Sequence, residues 1–185
     1  MEEHLPAGAD HPDADPLDER TDHYGRLYTP WRMEYIRDPG RSEEGCPFCV
    51  DADSFDDSRV LHRGQTAFVI LNAYPYNPGH VMVIPYTHTD DYTTLSAAET
   101  QEIADLTQRV IRAMAATVSP HGVNVGMNLG TVAGAGIADH LHQHVVPRWG
   151  GDTNFMPVIG QTRVLPQLMR DTYDLLKPAL EAQMP

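Results

Sequence analysis

Two short apolar runs stand out in the first half of the chain. Residues 66–71 read Thr-Ala-Phe-Val-Ile-Leu, and residues 80–85 read His-Val-Met-Val-Ile-Pro. Short apolar runs that are partly β-branched are typical of buried strands. Residues 72–79 between them are dense in turn formers, so the two strands are predicted to pair as antiparallel neighbours. The acidic, serine-rich residues 50–60 before them indicate a loop.

One long helix is predicted after the second strand. Ser96, with Glu99 three residues later, has the pattern of a capping box. Pro120 and Gly122 are expected to end the helix. The apolar residues that follow the box at helical spacing are Ile103, Leu106, Val110, Ile111 and Met114.

The second half of the chain adds two strands and one helix. Residues 123–127 indicate a third strand, and residues 140–146 a fourth that ends at Pro147. A last helix is predicted over about residues 165–180, with Pro166 in its first turn. Strands gathered around a central helix favour an α+β fold with a largely antiparallel sheet.

Charge divides the chain into two parts. Of the net charge of −13, much lies in residues 1–24, which hold eight acidic residues and one arginine. This segment has little apolar surface to bury, so we expect residues 1–23 to be a disordered acidic tail and residues 24–185 to be the folded domain. The remainder is also acidic, which argues against binding to long nucleic acids.

No apolar run is long enough to cross a membrane and no signal peptide is evident, so a cytoplasmic location is expected.

Three histidines alternate in the fourth predicted strand. His140, His142 and His144 would share one face, about 6.5–7 Å apart along the strand. A central imidazole so placed suits nucleophilic attack on a phosphate. The same pattern also fits solvent-facing polar residues or the ligands of a catalytic metal.

A loop of small residues precedes this strand. Gly130, Gly134 and Gly136 allow close approach of the backbone to a ligand and offer N–H donors. The alternative is a merely flexible connection.

The two cysteines, Cys46 and Cys49, form a Cys-Pro-Phe-Cys pair that suits metal binding or redox chemistry, with a free thiol pair as the alternative.

Together these motifs resemble the histidine triad (HIT) family. The run His-Leu-His-Gln-His-Val-Val at residues 140–146 matches the family signature, with Gln143 where an apolar residue is usual. The similarity spans roughly residues 27–176. The segment after the triad resembles a bacterial branch that includes diadenosine tetraphosphate phosphorylases. Further matching motifs lie at residues 77–85, 128–130, 133–134 and 147–148.

The resemblance implies an α/β-meander fold, with a five-stranded antiparallel sheet, a central helix and a C-terminal helix, usually in a homodimer. It implies covalent nucleotidyl transfer to His142, with the backbone carbonyl of His140 holding one nitrogen of the His142 ring. His144 and Asn128 would contact the phosphate, and Asn72 the ribose. The glycine loop, with Gly134 and Gly136, would complete the nucleotide site.

The resemblance also implies a structural zinc ion. In similar zinc-bearing members the ligands correspond to Cys46, Cys49, His88 and His140 of this chain. His140 would then serve both the metal and the catalytic strand. His62 and His80 are rival ligands.

One departure from the family bears on the reaction. Many members carry Gln, Ser or Thr just before the triad, but residues 135–138 read Ala-Gly-Ile-Ala. The choice between hydrolysis and phosphorolysis therefore stays open. The hypotheses are an enzyme that attacks the α-phosphate of a nucleoside phosphate or dinucleoside polyphosphate, a zinc-stabilised nucleotide-binding module with little turnover, and a metal hydrolase that uses all three histidines as ligands.

Deletion of residues 1–23 is expected to leave stability and activity nearly unchanged, because an acidic, proline-bearing tail makes few packed contacts. Thermal unfolding of the truncated and full chains checks this. A large drop in melting temperature would show that the tail is docked.

Overall fold

A five-stranded antiparallel sheet carries the fold. The structure, a computed structural model, describes residues 45–49, 59–152 and 167–184. The strands run in the order β1-β2-β3-β5-β4 across the sheet, and every neighbouring pair is antiparallel. Their bounds are Val60–Arg63 (β1), Ala67–Leu71 (β2), Val81–Pro85 (β3), Gly122–Met127 (β4) and Gln143–Arg148 (β5).

Two helices accompany the sheet. They are α1, Ala97–Thr117, and α2, Met169–Glu181, and a short 3-10 helix spans Tyr92–Thr94. This arrangement confirms the predicted α+β fold. Within the described ranges, no helix is long and apolar enough to cross a membrane. The predicted acidic tail, residues 1–23, lies outside the described residues.

Both faces of the central strands are buried. One face packs on the two helices in a core that includes Val69, Val83 and Val145 from the sheet and Leu106 and Leu176 from the helices. The other face carries a second, smaller cluster around Phe48, Phe68 and Ile84. Burial on both sides explains why β2 and β3 read as continuous apolar runs rather than alternating ones.

The start of α1 follows the predicted capping box. The backbone N–H of Glu99 donates to Ser96 Oγ at 3.3 Å, and the backbone N–H of Ser96 donates to Glu99 Oε2 at 2.8 Å. The helix ends at Thr117, before Pro120 as predicted, and Gly122 already belongs to β4. Local capping chemistry and apolar spacing agree here, so the prediction holds.

Three details of the elements differ from prediction. β1, Val60–Arg63, was missed because it has four residues and follows the acidic segment that indicated a loop. α2 begins at Met169 rather than near residue 165, and Leu168 before it is extended. β5 begins at Gln143, so His140 and His142 precede the strand, and it continues through Pro147.

The position of Pro147 explains why a proline is tolerated inside β5. Val145 lies opposite Val81, the first residue of β3, so Pro147 lies beyond the paired part of β3. A residue with one unpaired side can lack a backbone N–H without breaking a ladder on that side.

The carboxylate of Glu102 in α1 holds the β1–β2 turn. It accepts hydrogen bonds from the backbone N–H groups of Gln65 at 2.8 Å and Ala67 at 3.1 Å, and from both the N–H and the hydroxyl of Thr66. A Cβ atom at Gly64 would meet Glu102 Oε1 and would lie only 2.7 Å from the backbone oxygen of Ala67, so the turn needs a glycine there. Burial raises the pKa of Glu102, but the hydrogen bonds together lower it by more, so the net pKa lies below the ordinary 4.5.

Glu102→Gln is expected to lower the free energy of unfolding by about 1–2 kcal/mol at pH 7, after allowance for solvent screening. A carboxylate with a depressed pKa stabilises the fold above its unfolded pKa and loses that contribution as the pH falls through the folded value. The difference in free energy of unfolding between variant and wild type should therefore become smaller below pH 4.5. Urea unfolding across this pH range measures it. Asp105→Asn, which removes a carboxylate bonded to Gln101 on the same helix, is the control. A gap independent of pH would contradict the assignment.

Candidate active site and metal centre

The ring of His142 is fixed by the backbone of the short segment that precedes β5. His142 is buried, and its Nδ1 lies 2.9 Å from the carbonyl oxygen of His140. A carbonyl can only accept, so Nδ1 carries the proton and donates it. Nε2 of the neutral ring therefore keeps its lone pair. Burial lowers the pKa of His142, partly offset by the bond to His140, so the neutral, nucleophilic form is favoured at physiological pH.

The ring of His140 is fixed by a second carbonyl. Its Nε2 lies 2.8 Å from the carbonyl oxygen of Pro85, at the end of β3. The same reasoning places the proton on Nε2 and leaves the lone pair on Nδ1. That nitrogen faces the cysteine pair, 3.4 Å from Cys46 Sγ and 3.8 Å from Cys49 Sγ.

The structure brings the four predicted metal ligands together. His88 Nδ1 lies 3.0 Å from Cys49 Sγ, and the ligand atoms of Cys46, Cys49, His88 and His140 all lie within 4.8 Å of one another. A tetrahedral Zn²⁺ with the usual Zn–S and Zn–N bond lengths has ligand–ligand distances of about 3.3–3.8 Å. Two thiolates and two imidazoles are the donor set of a closed, structural zinc site, so these residues fit the ion.

The rival ligands lie elsewhere. His62, on β1, is half-buried and feels the charges of Glu102, Arg109 and Glu181. His80 contacts His144 instead of the cysteines. The three triad histidines also do not share one ion, since the candidate metal group found among the described residues includes His140 but neither His142 nor His144.

A chain of hydrogen bonds sets the ring of His144. The backbone N–H of Tyr76 donates to His80 Nδ1 at 3.0 Å, which places the proton of a neutral His80 on Nε2. That Nε2 lies 2.9 Å from His144 Nδ1, which then accepts. His144 consequently carries its own proton on Nε2. Burial, and then the nearby charge of His142, lower the pKa of His144 to about 4, so the ring stays neutral at physiological pH.

Four aromatic rings contact one another in a row across the site: Phe48, His142, His144 and Tyr76, with His140 beside Phe48 and His80 beside Tyr76. Phe48, from the segment between the cysteines, lies 5.7 Å from the His140 ring and 5.2 Å from the His142 ring, centroid to centroid. His142 and His144 are 4.9 Å apart in an edge-to-face arrangement. Tyr76 follows, 5.7 Å from His144. Sequence reasoning gave no role to Phe48 or Tyr76, although Phe48 stands between two predicted ligands.

Asn72 lies beside the histidines, at the end of β2. Its side-chain oxygen accepts from the backbone N–H of Tyr74 at 2.9 Å, and its Nδ2 lies 3.4 Å from both ring nitrogens of His80. The predicted ribose contact is therefore a side chain that also shapes the turn after β2.

Asn128 closes the glycine loop. Its Nδ2 donates to the carbonyl oxygen of Gly134 at 3.3 Å. Gly130 and Gly134 have φ angles of 80° and 94°, in the left-handed region that favours glycine. Gly136, further along the loop, is exposed. The side chain of Asn128 thus bridges the beginning and the middle of the loop.

Gln143, the residue that departs from the family signature, points toward α1. Its side-chain nitrogen donates to the hydroxyl of Thr107, which in turn donates to the carbonyl oxygen of Ile103. The polar residue is satisfied on the helical side of the sheet, so its presence does not disturb the histidine side.

A family model described as the HIT domain matches residues 55–151 of the chain. An AP-4-A phosphorylase of Mycobacterium tuberculosis strain H37Rv is 47% identical over 163 residues, which cover 84% of each chain.

Two solved structures of histidine triad proteins have a fold similar to that of this chain. A Zn-bound histidine triad family protein from Mycobacterium smegmatis superposes with a TM-score of 0.61 at 30% identity, covering 74% of this chain and 94% of that one. A hypothetical histidine triad nucleotide-binding protein from Sulfolobus tokodaii gives a TM-score of 0.58 at 25% identity, over 75% and 91% of the two chains. With this fold, this arrangement of histidines and these relatives, the chain belongs to the histidine triad family.

Proposed function

We propose that this protein is a nucleotidyl-transferring enzyme that cleaves dinucleoside polyphosphates, such as diadenosine tetraphosphate, at the α-phosphorus. The observation that carries the proposal is the buried, neutral ring of His142, whose Nδ1 is tied to the His140 carbonyl and whose Nε2 keeps its lone pair. The 47% identical relative named AP-4-A phosphorylase supports this substrate class.

In the first step, His142 Nε2 forms a bond to the α-phosphorus, and the bond from that phosphorus to the bridging oxygen breaks. The remaining polyphosphate departs with the bonding electron pair. Positive charge that develops on the imidazole strengthens its hydrogen bond to the His140 carbonyl. The Nε2–H of His144 donates to a phosphate oxygen and stabilises the charge that develops there.

In the second step, an oxygen of the acceptor bonds to the phosphorus of the nucleotidyl-histidine and the P–N bond breaks. Its electron pair returns to Nε2, which restores neutral His142, and the proton that the acceptor loses passes to solvent. Water gives hydrolysis and inorganic phosphate gives phosphorolysis. The relative's name favours phosphate as the acceptor. An assay of the products with and without inorganic phosphate decides between them.

The ligand and nucleotide-site assignments complete the proposal. Asn72, Asn128, Gly134 and Gly136 line the nucleotide site, and Cys46, Cys49, His88 and His140 hold a structural zinc ion. When bound, the ion supplies a cross-link and takes no part in the reaction. It ties the Phe48 segment, the end of β3 and the approach to β5 together.

We further propose a homodimer in the cytoplasm, without long nucleic acid as a partner. β4 lies at the edge of the sheet, where Val125 and, just beyond, Leu129 are about half exposed. Such an edge is a natural place for a second copy to pair. A reducing compartment keeps the metal-binding thiols available. The negative net charge of the chain repels the sugar-phosphate backbone of long nucleic acids.

Detection of the covalent intermediate tests the enzymatic proposal against a binding module with little turnover. The protein is mixed with diadenosine tetraphosphate, quenched at high pH, at which phosphoramidates persist, and digested. A nucleotidyl adduct on the peptide that holds His142 is expected. Turnover without any adduct on that histidine would contradict the mechanism.

His142→Ala is expected to lower turnover by at least about a thousandfold and to leave nucleotide binding within about tenfold, because a nucleophile acts mainly in the transition state. Steady-state kinetics and calorimetry measure the two effects. His121→Ala, which alters an exposed histidine bonded to Gly150, is the matched control. Wild-type rates in His142→Ala would rule out this nucleophile.

Cys49→Ser is expected to release the zinc and to lower the melting temperature by roughly 5–10 °C, because a metal that joins three stretches of chain contributes to folding. Metal analysis and calorimetry measure this. His62→Asn alters the rival histidine on β1 and should retain the zinc. Full zinc content in Cys49→Ser, or zinc-free wild type, would refute the site.

A further inference from the structure

Tyr76 occupies the open end of the row of rings. Its ring lies 4.7 Å from that of His80 and 5.7 Å from that of His144, inclined by 39° and 32°. Tyr76 as a residue is nevertheless 43% exposed, whereas Phe48 at the other end of the row is 8% exposed. Histidine rings therefore support one part of the tyrosine, and another part meets solvent beside the reacting groups.

The backbone makes this position rigid without using the side chain. The N–H of Tyr76 donates to His80 Nδ1, and His80 N–H donates in turn to the carbonyl oxygen of Asn77 at 3.1 Å. The turn that carries Tyr76 is thus fixed to a histidine that is itself 1% exposed. A large aromatic ring on a fixed backbone, partly open to solvent, is what base stacking requires.

We infer that Tyr76 is the stacking platform for the base of the departing nucleotide. The inference rests on the proposed function and names a part of the substrate. In the proposed reaction attack occurs at the buried His142, and Tyr76 lies beyond His144, the neighbour proposed to contact the phosphate chain. The half of the substrate that leaves has to be held where solvent can reach it. The exposed ring at this end meets that condition, and the buried Phe48 does not.

The substrate class follows from this placement. A substrate with a base at both ends of its phosphate chain gains from Tyr76, whereas a nucleoside polyphosphate with a single base does not. Diadenosine tetraphosphate and adenosine 5′-tetraphosphate form the matched pair, since they share the attacked nucleotide and the phosphate chain and differ in the second nucleoside.

The test compares kcat/KM for these two substrates in four proteins: wild type, Tyr76→Leu, Tyr76→Phe and Tyr92→Leu. Tyr92, in the 3-10 helix, is 44% exposed and serves as the control for loss of an exposed tyrosine. In Tyr76→Leu, the preference for the dinucleoside should fall by about tenfold, since stacking of one base is lost. Tyr76→Phe keeps the ring and should keep the preference, as should Tyr92→Leu.

Two kinetic results would overturn the inference. An equal loss on both substrates in Tyr76→Leu would make Tyr76 a support for His80 and His144 instead of a platform. An unchanged preference would remove it from substrate recognition.

Binding decides the matter even if wild type turns over neither substrate, a result that would refute the proposed function. Analogues of the same pair, with a methylene group in place of the bridging oxygen at the attacked phosphorus, are titrated calorimetrically. Wild type should bind the dinucleoside analogue more tightly, and Tyr76→Leu should lose that advantage. No advantage in wild type, or an advantage that survives in Tyr76→Leu, would overturn the inference.

Discussion

The hydrogen bond from His142 Nδ1 to the carbonyl oxygen of His140 is the constraint on which the site depends. It selects one tautomer, and with it the one nitrogen that keeps a lone pair for the proposed attack. A main-chain carbonyl suits this task because, unlike a carboxylate, it adds no net charge that would strongly favour the imidazolium. Burial then keeps the ring neutral, so orientation and protonation state are set together. The geometry holds as long as the short segment before β5 keeps its conformation.

The segment before β5 is held by contacts with other parts of the fold. The His140 ring donates to the Pro85 carbonyl and turns its other nitrogen toward the cysteines. One residue therefore uses its ring to anchor the segment and its carbonyl to aim the neighbouring ring. This division explains how the proposed metal ligand and the proposed nucleophile can lie two residues apart without competing, since the nitrogen that faces the cysteines and the nitrogen that keeps its lone pair for the proposed attack belong to different rings. A similar chain, through Tyr76 and His80, sets His144 from the other side.

Local chemistry was predictable from the sequence and long-range contacts were less so. The helix that begins after Ser96 and the strands β2 and β3 follow from capping and apolar runs within a few residues. The sequence did not predict β1, because this strand has only four residues and no clear local pattern. Its pairing with β2, across the turn that Glu102 holds, is what defines it. The metal ligands came from family resemblance, because nothing local places His88 beside Cys49. The contact between His80 and His144 spans 64 positions and has no local signal.

The order of the rings gives the site a direction. At one end, Phe48 is buried against His140 and His142 and is held by the segment that carries both cysteines. At the other end, Tyr76 is partly open to solvent. The proposed reaction, in which one half of the substrate stays on a histidine while the other half departs, would use this asymmetry. The retained half must be kept from early escape, and the departing half must be free to leave. The proposed structural zinc ion at the buried end would meet the first need, because a site with four protein ligands adds rigidity without adding a competing electrophile. Among the described residues, the four candidate metal ligands all belong to the buried end.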